Sequence, residues 1–184
     1  MSKLGAAVVI TGSQKALAVQ PGISVITLSP AALKRIEEND EKCLYLSLKE
    51  ALLNGERGQT PFTPAVTILL QINKRLNGIV DNGGIEKERE IIKIRAEYIR
   101  RSLGDFPFRL VASSPSSAVS AFYTESSAKE LVRIMKDEYD IWICPNGGEY
   151  ADKVFRIGHL GNITENDNKK LIEAFTDIKN RGLL

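Results

Sequence analysis

Residues 5–12, Gly-Ala-Ala-Val-Val-Ile-Thr-Gly, followed at once by the polar tetrad Ser13-Gln-Lys-Ala16, are the stretch from which the rest of the chain is read. A short apolar run closed by glycine predicts a strand buried on both faces, as in sheets covered by helices. After Pro21-Gly22 a second run, Ile23-Ser-Val-Ile-Thr-Leu28, predicts another strand, so Lys15 falls in the loop between the two. Ser29-Pro30 then caps an amphipathic helix through Ile36, with proline at the first helical position, where its missing N–H costs nothing.

Further along, Pro64 opens an apolar helix with Ile68, Leu69, Ile72, Leu76 and Ile79 at helical spacing, broken by Asp81-Asn-Gly-Gly84. A long charged helix follows, with Ile85, Ile92, Ala96, Ile99 and Leu103 on one face, ending near Gly104. From Phe108 the units shorten. Strands are expected at 108–112, 118–123, 141–144 and 154–158, and helices at 127–139 and 165–181. Ser127 with Glu130 reads as a capping box, and Thr164 ahead of Asp167 as a second cap. Leu131, Val132 and Met135, with Leu171, Ile172, Phe175 and Ile178, would cover one side of a small sheet. The units from Phe108 on make an α+β pattern, and a domain boundary is expected at Asn82-Gly83-Gly84 or in the long helix just after it.

Composition narrows the function. The 184 residues carry 25 Lys+Arg against 23 Asp+Glu, a formal charge of +2, so bulk electrostatic binding to nucleic acid is not indicated. No apolar run approaches the roughly 20 residues that span a bilayer, and residues 1–10 lack the build of a signal peptide. The expectation is a cytoplasmic protein with no membrane partner. Cys43 and Cys144 are far apart and form no CxxC motif, so both are expected to be buried, reduced thiols. His159 is the single histidine, which removes most zinc sites built on two or three imidazoles, and no metal is expected. There is no GxxxxGK[ST], GxGxxG or HExxH. Any chemistry must rest on lysine, arginine and carboxylates, or on a bound cofactor.

Taken as residues alone, Lys15 is either a solvated loop lysine or an amine placed at a strand end to condense with an aldehyde. Arg156 is either a strand arginine in an ion pair or a bidentate carboxylate ligand. His159, on the same segment, reads as a packed or capping residue rather than a base. Gly147-Gly148, after Pro145-Asn146, reads as a turn. The run Lys93, Arg95, Arg100, Arg101, interleaved with Glu97, reads as a solvated helix face.

The string Val8-Val-Ile-Thr-Gly-Ser-Gln-Lys-Ala-Leu17, with Gln20-Pro-Gly22 and Leu28-Ser29, resembles the cofactor-lysine segment of the class V aminotransferases. These include the alanine-glyoxylate, serine-pyruvate and 2-aminoethylphosphonate-pyruvate transaminases. Thr60-Pro-Phe-Thr-Pro64 and Phe155-Arg-Ile-Gly-His-Leu-Gly-Asn162 recur in that family in this order and at comparable separations. The resemblance covers essentially the whole chain but only about the C-terminal half of the family. It implies the α/β fold-type I architecture, with residues 1–82 as the C-terminal part of the large cofactor domain of a pyridoxal-phosphate transferase and residues 83–184 as its small α+β domain.

The implied activity is amino-group transfer between an amino acid and a 2-oxo acid through pyridoxal 5'-phosphate. Lys15 matches the lysine that binds the cofactor aldehyde and moves the substrate proton. Gln14 matches a glutamine near the cofactor phosphate. Thr63 matches a threonine that reaches the phosphate of the neighbouring subunit of the dimer. Thr60 stands near a common tyrosine for that phosphate, and Arg156 matches the substrate-carboxylate arginine. The acid partner for the pyridine nitrogen, the stacking aromatic and the phosphate-binding helix N-terminus lie upstream of the lysine strand in the family. Residues 1–6 resemble the interior of a longer chain. The expectation is thus a C-terminal half of a homo-oligomeric aminotransferase, or a non-catalytic fragment or subunit that needs a partner chain carrying the N-terminal half.

Overall fold

A computed structural model describes residues 4–184; the reading of residues 1–3 lies outside the described residues. The chain divides into two compact units, one ending at Asn77 and one beginning at Gly78, and the division falls within a helix.

In the first unit, β1 (Val8–Gly12) pairs antiparallel with β2 (Ser24–Leu28), in register from Val8 opposite Leu28 to Gly12 opposite Ser24. Ser29 caps α1 (Pro30–Glu38) by accepting from the Ala32 N–H, with Pro30 at the helix start as the sequence predicts. α1 packs on β2 and buries Ala32. The two-faced burial expected for β1 is not found: Val8 is 45% exposed and Ile10 64%. The ribbon has two strands, and strands buried on both faces need flanking strands and a layer on each side. α2 (Leu48–Glu56), capped by Ser47, has no counterpart in the sequence reading. α3 (Val66–Asp81) follows the Thr60–Pro64 segment, and Ile72 is its buried residue in this unit.

The second unit takes the last turn of α3 and then the long α4 (Gly84–Ser102), which buries Ala96 and Ile99. β3 (Phe108–Leu110), β4 (Val119–Thr124), β5 (Cys144–Pro145) and β6 (Val154–Gly158) form an antiparallel sheet in the order β3-β4-β6-β5. α5 (Ala128–Tyr139) and α6 (Glu165–Asn180) supply the apolar faces named above. Leu131, Met135, Leu171, Phe175 and Ile178 join Phe122, Phe155 and Ile157 of the sheet in one core. Its aromatic centre is close-packed: Phe155 lies 5.0 Å from Phe108 and 5.8 Å from Phe175, centroid to centroid. Thr164 and Asp167 form a reciprocal capping box on α6. On α5 the expected box is half made, because Ser127 accepts from the Glu130 N–H but the Glu130 carboxylate turns to Arg133.

Cys43 and Cys144 are both exposed, against the expectation. Along the extended segment after α5 the side chains alternate, so the buried Ile143 puts Cys144 on the opposite, open face. Among the described residues no helix is long and apolar enough to cross a membrane.

Candidate functional site

The β1–β2 loop is fixed from within. Ser13 is wholly buried; its N–H donates to the Ile23 carbonyl at 2.8 Å, and its hydroxyl donates to the Gln20 carbonyl at 2.6 Å. The same oxygen accepts from the Ile23 N–H, and the Ser13 carbonyl accepts from the Val19 N–H. One serine therefore ties both ends of the loop together. The intervening turn is closed by Lys15 N–H to Gly12 O and Ala18 N–H to Lys15 O, each 3.0 Å. Gln71 of α3 grips Gln20 twice, accepting from its N–H and donating to its side-chain oxygen. Gly22 has φ +141°, a backbone conformation that favours glycine, and a Cβ there would come within 2.6 Å of the Ile68 Cδ1 on α3, which would have to turn aside. On this anchored turn Gln14 and Lys15 are exposed, and their side chains make no hydrogen bond among the described residues.

Thr60 and Thr63 lie on the exposed segment before α3. The Thr60 hydroxyl donates to the Phe62 carbonyl at 2.7 Å, so in this arrangement its proton is spent on the local turn. Thr63 keeps its hydroxyl unengaged among the described residues, and Phe62 stacks on Tyr45 at 5.0 Å.

Arg156 belongs to the second unit, in the middle of β6, where Phe155 and Ile157 point into the core and Arg156 points out. Its cross-strand partners are Ala121 and Cys144. Nη2 donates to the Pro145 carbonyl at 2.8 Å and to Cys144 Sγ at 3.1 Å. Nε is buried and has no hydrogen-bond partner among the described residues. A buried, unmatched N–H on a cation costs free energy that an arriving anion recovers.

His159, just past β6, is 1% exposed. Its Nε2 lies 2.8 Å from Ser120 Oγ, which also accepts from Arg100 Nε at 2.8 Å. Arginine only donates, so the Ser120 oxygen accepts from Arg100, and its second lone pair and its proton let the hydroxyl pair with a neutral imidazole in either tautomer. Burial, reinforced by Arg100 and Arg95, lowers its pKa to about 4. Arg95 Nη1 donates to the Gly161 carbonyl at 2.9 Å, and Arg100 also reaches the Ser116 carbonyl. This is the packed histidine the sequence suggests; Arg95 and Arg100, read there as a solvated face, are its supports.

The loop brings Gln14 and Lys15 together, and the segment before α3 carries Thr60 and Thr63. Arg156 stands in the other unit. Ser13, Gln71, Cys144 and Pro145 are not among the site residues expected from the sequence. The alternation Phe155-Arg156-Ile157 is a signal that Arg156 faces outward, but its partner strand is set by tertiary pairing.

Comparison with known proteins adds the following. No family model matches the chain. It is 34% identical over 158 residues to an uncharacterized aminotransferase of Methanocaldococcus jannaschii, covering 83% of this chain and 41% of that protein. It is 28% identical to the L-aspartate–glyoxylate aminotransferase of Paracoccus denitrificans, covering 90% of this chain and 43% of that one. The structure of a subgroup IV aspartate aminotransferase from Thermus thermophilus superposes with a TM-score of 0.87 at 22% identity, over 98% of this chain and 51% of its own. The chain thus spans about half the length or less of the proteins it matches.

Proposed function

We propose, for a chain that matches the C-terminal half of the class V pyridoxal-phosphate-dependent aminotransferases, that it serves amino-group transfer between an amino acid and a 2-oxo acid in the cytoplasm. Residues 1–82 are read as the end of the cofactor domain and 83–184 as the small domain. Lys15 is the residue that holds the cofactor. What carries this reading is the loop itself: a wholly buried Ser13 fixes the turn while the neighbouring lysine amine stays open. The donor set fits an anionic aldehyde, since Gln14, Lys15 and Thr63 all offer N–H or O–H groups that no described residue uses.

When bound, pyridoxal phosphate supplies a carbonyl for amino-group exchange and a ring that takes up the electron pair left at the substrate Cα. Lys15 Nζ holds the cofactor and then carries the proton to and from Cα. Gln14 donates toward the phosphate. Thr63 does so toward a neighbouring subunit, which makes a homodimer the working form, and Thr60 acts through the turn that sets Thr63. Arg156 orients the substrate by its carboxylate.

Incubation with pyridoxal phosphate, borohydride reduction and peptide mapping test the assignment. The adduct is expected on Lys15 and lost in Lys15→Ala, both for the chain alone and with a polypeptide carrying the N-terminal half. Trapping on another lysine in Lys15→Ala at the wild-type level would overturn it.

A second reading is favoured by the open apolar faces of the first unit, where Ile10 is 64% exposed, Leu44 82% and Leu70 65%. In it the chain is a subunit that turns over only with a partner chain carrying the N-terminal half. Turnover by the chain alone would exclude this.

A further inference from the structure

The side chain read as the carboxylate grip is already engaged by its own protein. Arg156 and Cys144 are direct cross-strand partners on β6 and β5. A guanidinium has two bidentate faces, one made by Nε–H and Nη2–H and the other by Nη1–H and Nη2–H, and Nη2 belongs to both. Here Nη2 gives one hydrogen to the Pro145 carbonyl and one to Cys144 Sγ. Neither face is therefore free to receive the two oxygens of a carboxylate. Nε–H, buried and without an acceptor among the described residues, is one half of the first face. A carboxylate that takes this face satisfies Nε and must displace one acceptor from Nη2. The two acceptors are unequal: the Pro145 carbonyl is a strong acceptor held by the backbone, whereas a thiol sulfur is a weak acceptor on a rotatable, exposed side chain. The thiol is the one that can move aside by a side-chain rotation alone.

We propose that Cys144 is the residue that sets the affinity of the Arg156 site for a substrate carboxylate, because its sulfur holds one of the two Nη2–H groups and is the acceptor that can turn away without moving backbone. Pro145 meanwhile keeps the guanidinium plane in place. The inference rests on the reading of Arg156 as the carboxylate ligand. It assigns Cys144 no covalent role: the sulfur is a resident competitor whose removal tightens binding.

The test follows the Arg156 Nε–H resonance of the full, ¹⁵N-labelled chain, assigned by its loss in Arg156→Lys. The chain is titrated with sodium pyruvate against sodium chloride at equal ionic strength. Pyruvate is expected to move the resonance saturably. Cys144→Ala is expected to lower the Kd about threefold to tenfold, the factor that one modest hydrogen bond represents, while Cys43→Ala leaves it unchanged. A resonance that moves with the same or a higher Kd in Cys144→Ala overturns the role of Cys144 and leaves Arg156 as the ligand. A resonance that pyruvate moves in neither protein overturns both.

A second measurement needs no variant. In alkylation by iodoacetate or iodoacetamide, the thiolate attacks the methylene carbon, a C–S bond forms and iodide leaves. Only iodoacetate brings a carboxylate for Arg156. Its rate relative to iodoacetamide should be about tenfold higher at Cys144 than at Cys43, and equal ratios at the two cysteines overturn the proposal.

Discussion

β1 and β6 are both five-residue strands with apolar runs, yet their surroundings are opposite. Val8 and Ile10 of β1 are 45% and 64% exposed, whereas Phe155 and Ile157 of β6 are 0% and 5% exposed. The difference is in what stands on either side. β6 lies between β4 and β5 with α5 packed on it and Phe175 of α6 against Phe155, while β1 has a single partner strand. An apolar run states a demand for cover; whether the demand is met depends on elements elsewhere in the assembly. In the second unit this chain meets it alone, and in the first unit it does so only in part.

The contrast is broken most forcefully at Phe175. Removing a wholly buried ring from the aromatic centre leaves a cavity, and Phe175→Ala should cost about 3–5 kcal/mol in the unfolding of the second unit. Leu70→Ala, at a side chain 65% exposed in the first unit, should change stability by no more than about 0.5 kcal/mol. Denaturant midpoints, with hydrogen exchange to assign the change to a unit, measure both. Comparable losses at the two sites would mean that the first unit has a core of its own strength.

The same contrast explains what could be read in advance. The second unit was legible to within a residue or two at most element ends, because its periodicities coincide with a core the chain itself completes. Thr164 and Asp167 cap α6 as their spacing predicts, since that reciprocal bond needs no distant partner. α2 escaped although Ser47 and Glu50 stand at capping spacing and Leu48, Ala51 and Leu52 at i, i+3 and i+4; the stripe is short, and none of its residues is fully buried. Glu130 left its capping box for Arg133, a competing charge one turn along the same helix. In the candidate site, Lys15 and Arg156 could be singled out. Ser13 holding two distant loop ends, or Cys144 facing Arg156 across two strands, depend on pairings that no local pattern encodes.

A pH change sharpens the comparison next, because the second unit buries an imidazole. His159 is held near 4 when folded, by burial and then by Arg100 and Arg95, against 6.5 when unfolded. Between those values the unfolded chain binds the extra proton, so stability is complete above about pH 6.5 and falls as the pH drops toward 4. The whole loss is about 3 kcal/mol. Asp167 and Asp177, held below the usual carboxylate range by Thr164 and by Tyr139, add their losses at lower pH still. Urea midpoints at pH 7.5 and 4.5 should therefore separate in the wild type and converge in His159→Gln, whose amide can pair with the Ser120 hydroxyl as donor or acceptor. An equal separation in both proteins would place the acid sensitivity elsewhere.

The smallest effect uses one kind of interaction in both units. Ser29 caps α1 through the Ala32 N–H at 3.2 Å, and Thr164 caps α6 through the Asp167 N–H at 3.1 Å, with Asp167 returning a bond to the Thr164 N–H at 2.8 Å. Each substitution to alanine strands an N–H at a helix start and should cost about 1 kcal/mol, more at Thr164, where the reciprocal bond is weakened too. The cost should appear differently in the two places. α6 carries Leu171, Phe175 and Ile178 into the core, so loosening its first turn is felt in the cooperative unfolding of the unit, and Thr164→Ala should lower the midpoint for every probe there. α1 buries only Ala32, so Ser29→Ala should raise hydrogen exchange at Ala32 and Leu33 and leave the rest of the first unit nearly unchanged. A uniform rise in exchange from β1 to α3 after Ser29→Ala would show that the first unit opens as one cooperative body, and the distinction between a core completed within the chain and one left open would have to be withdrawn.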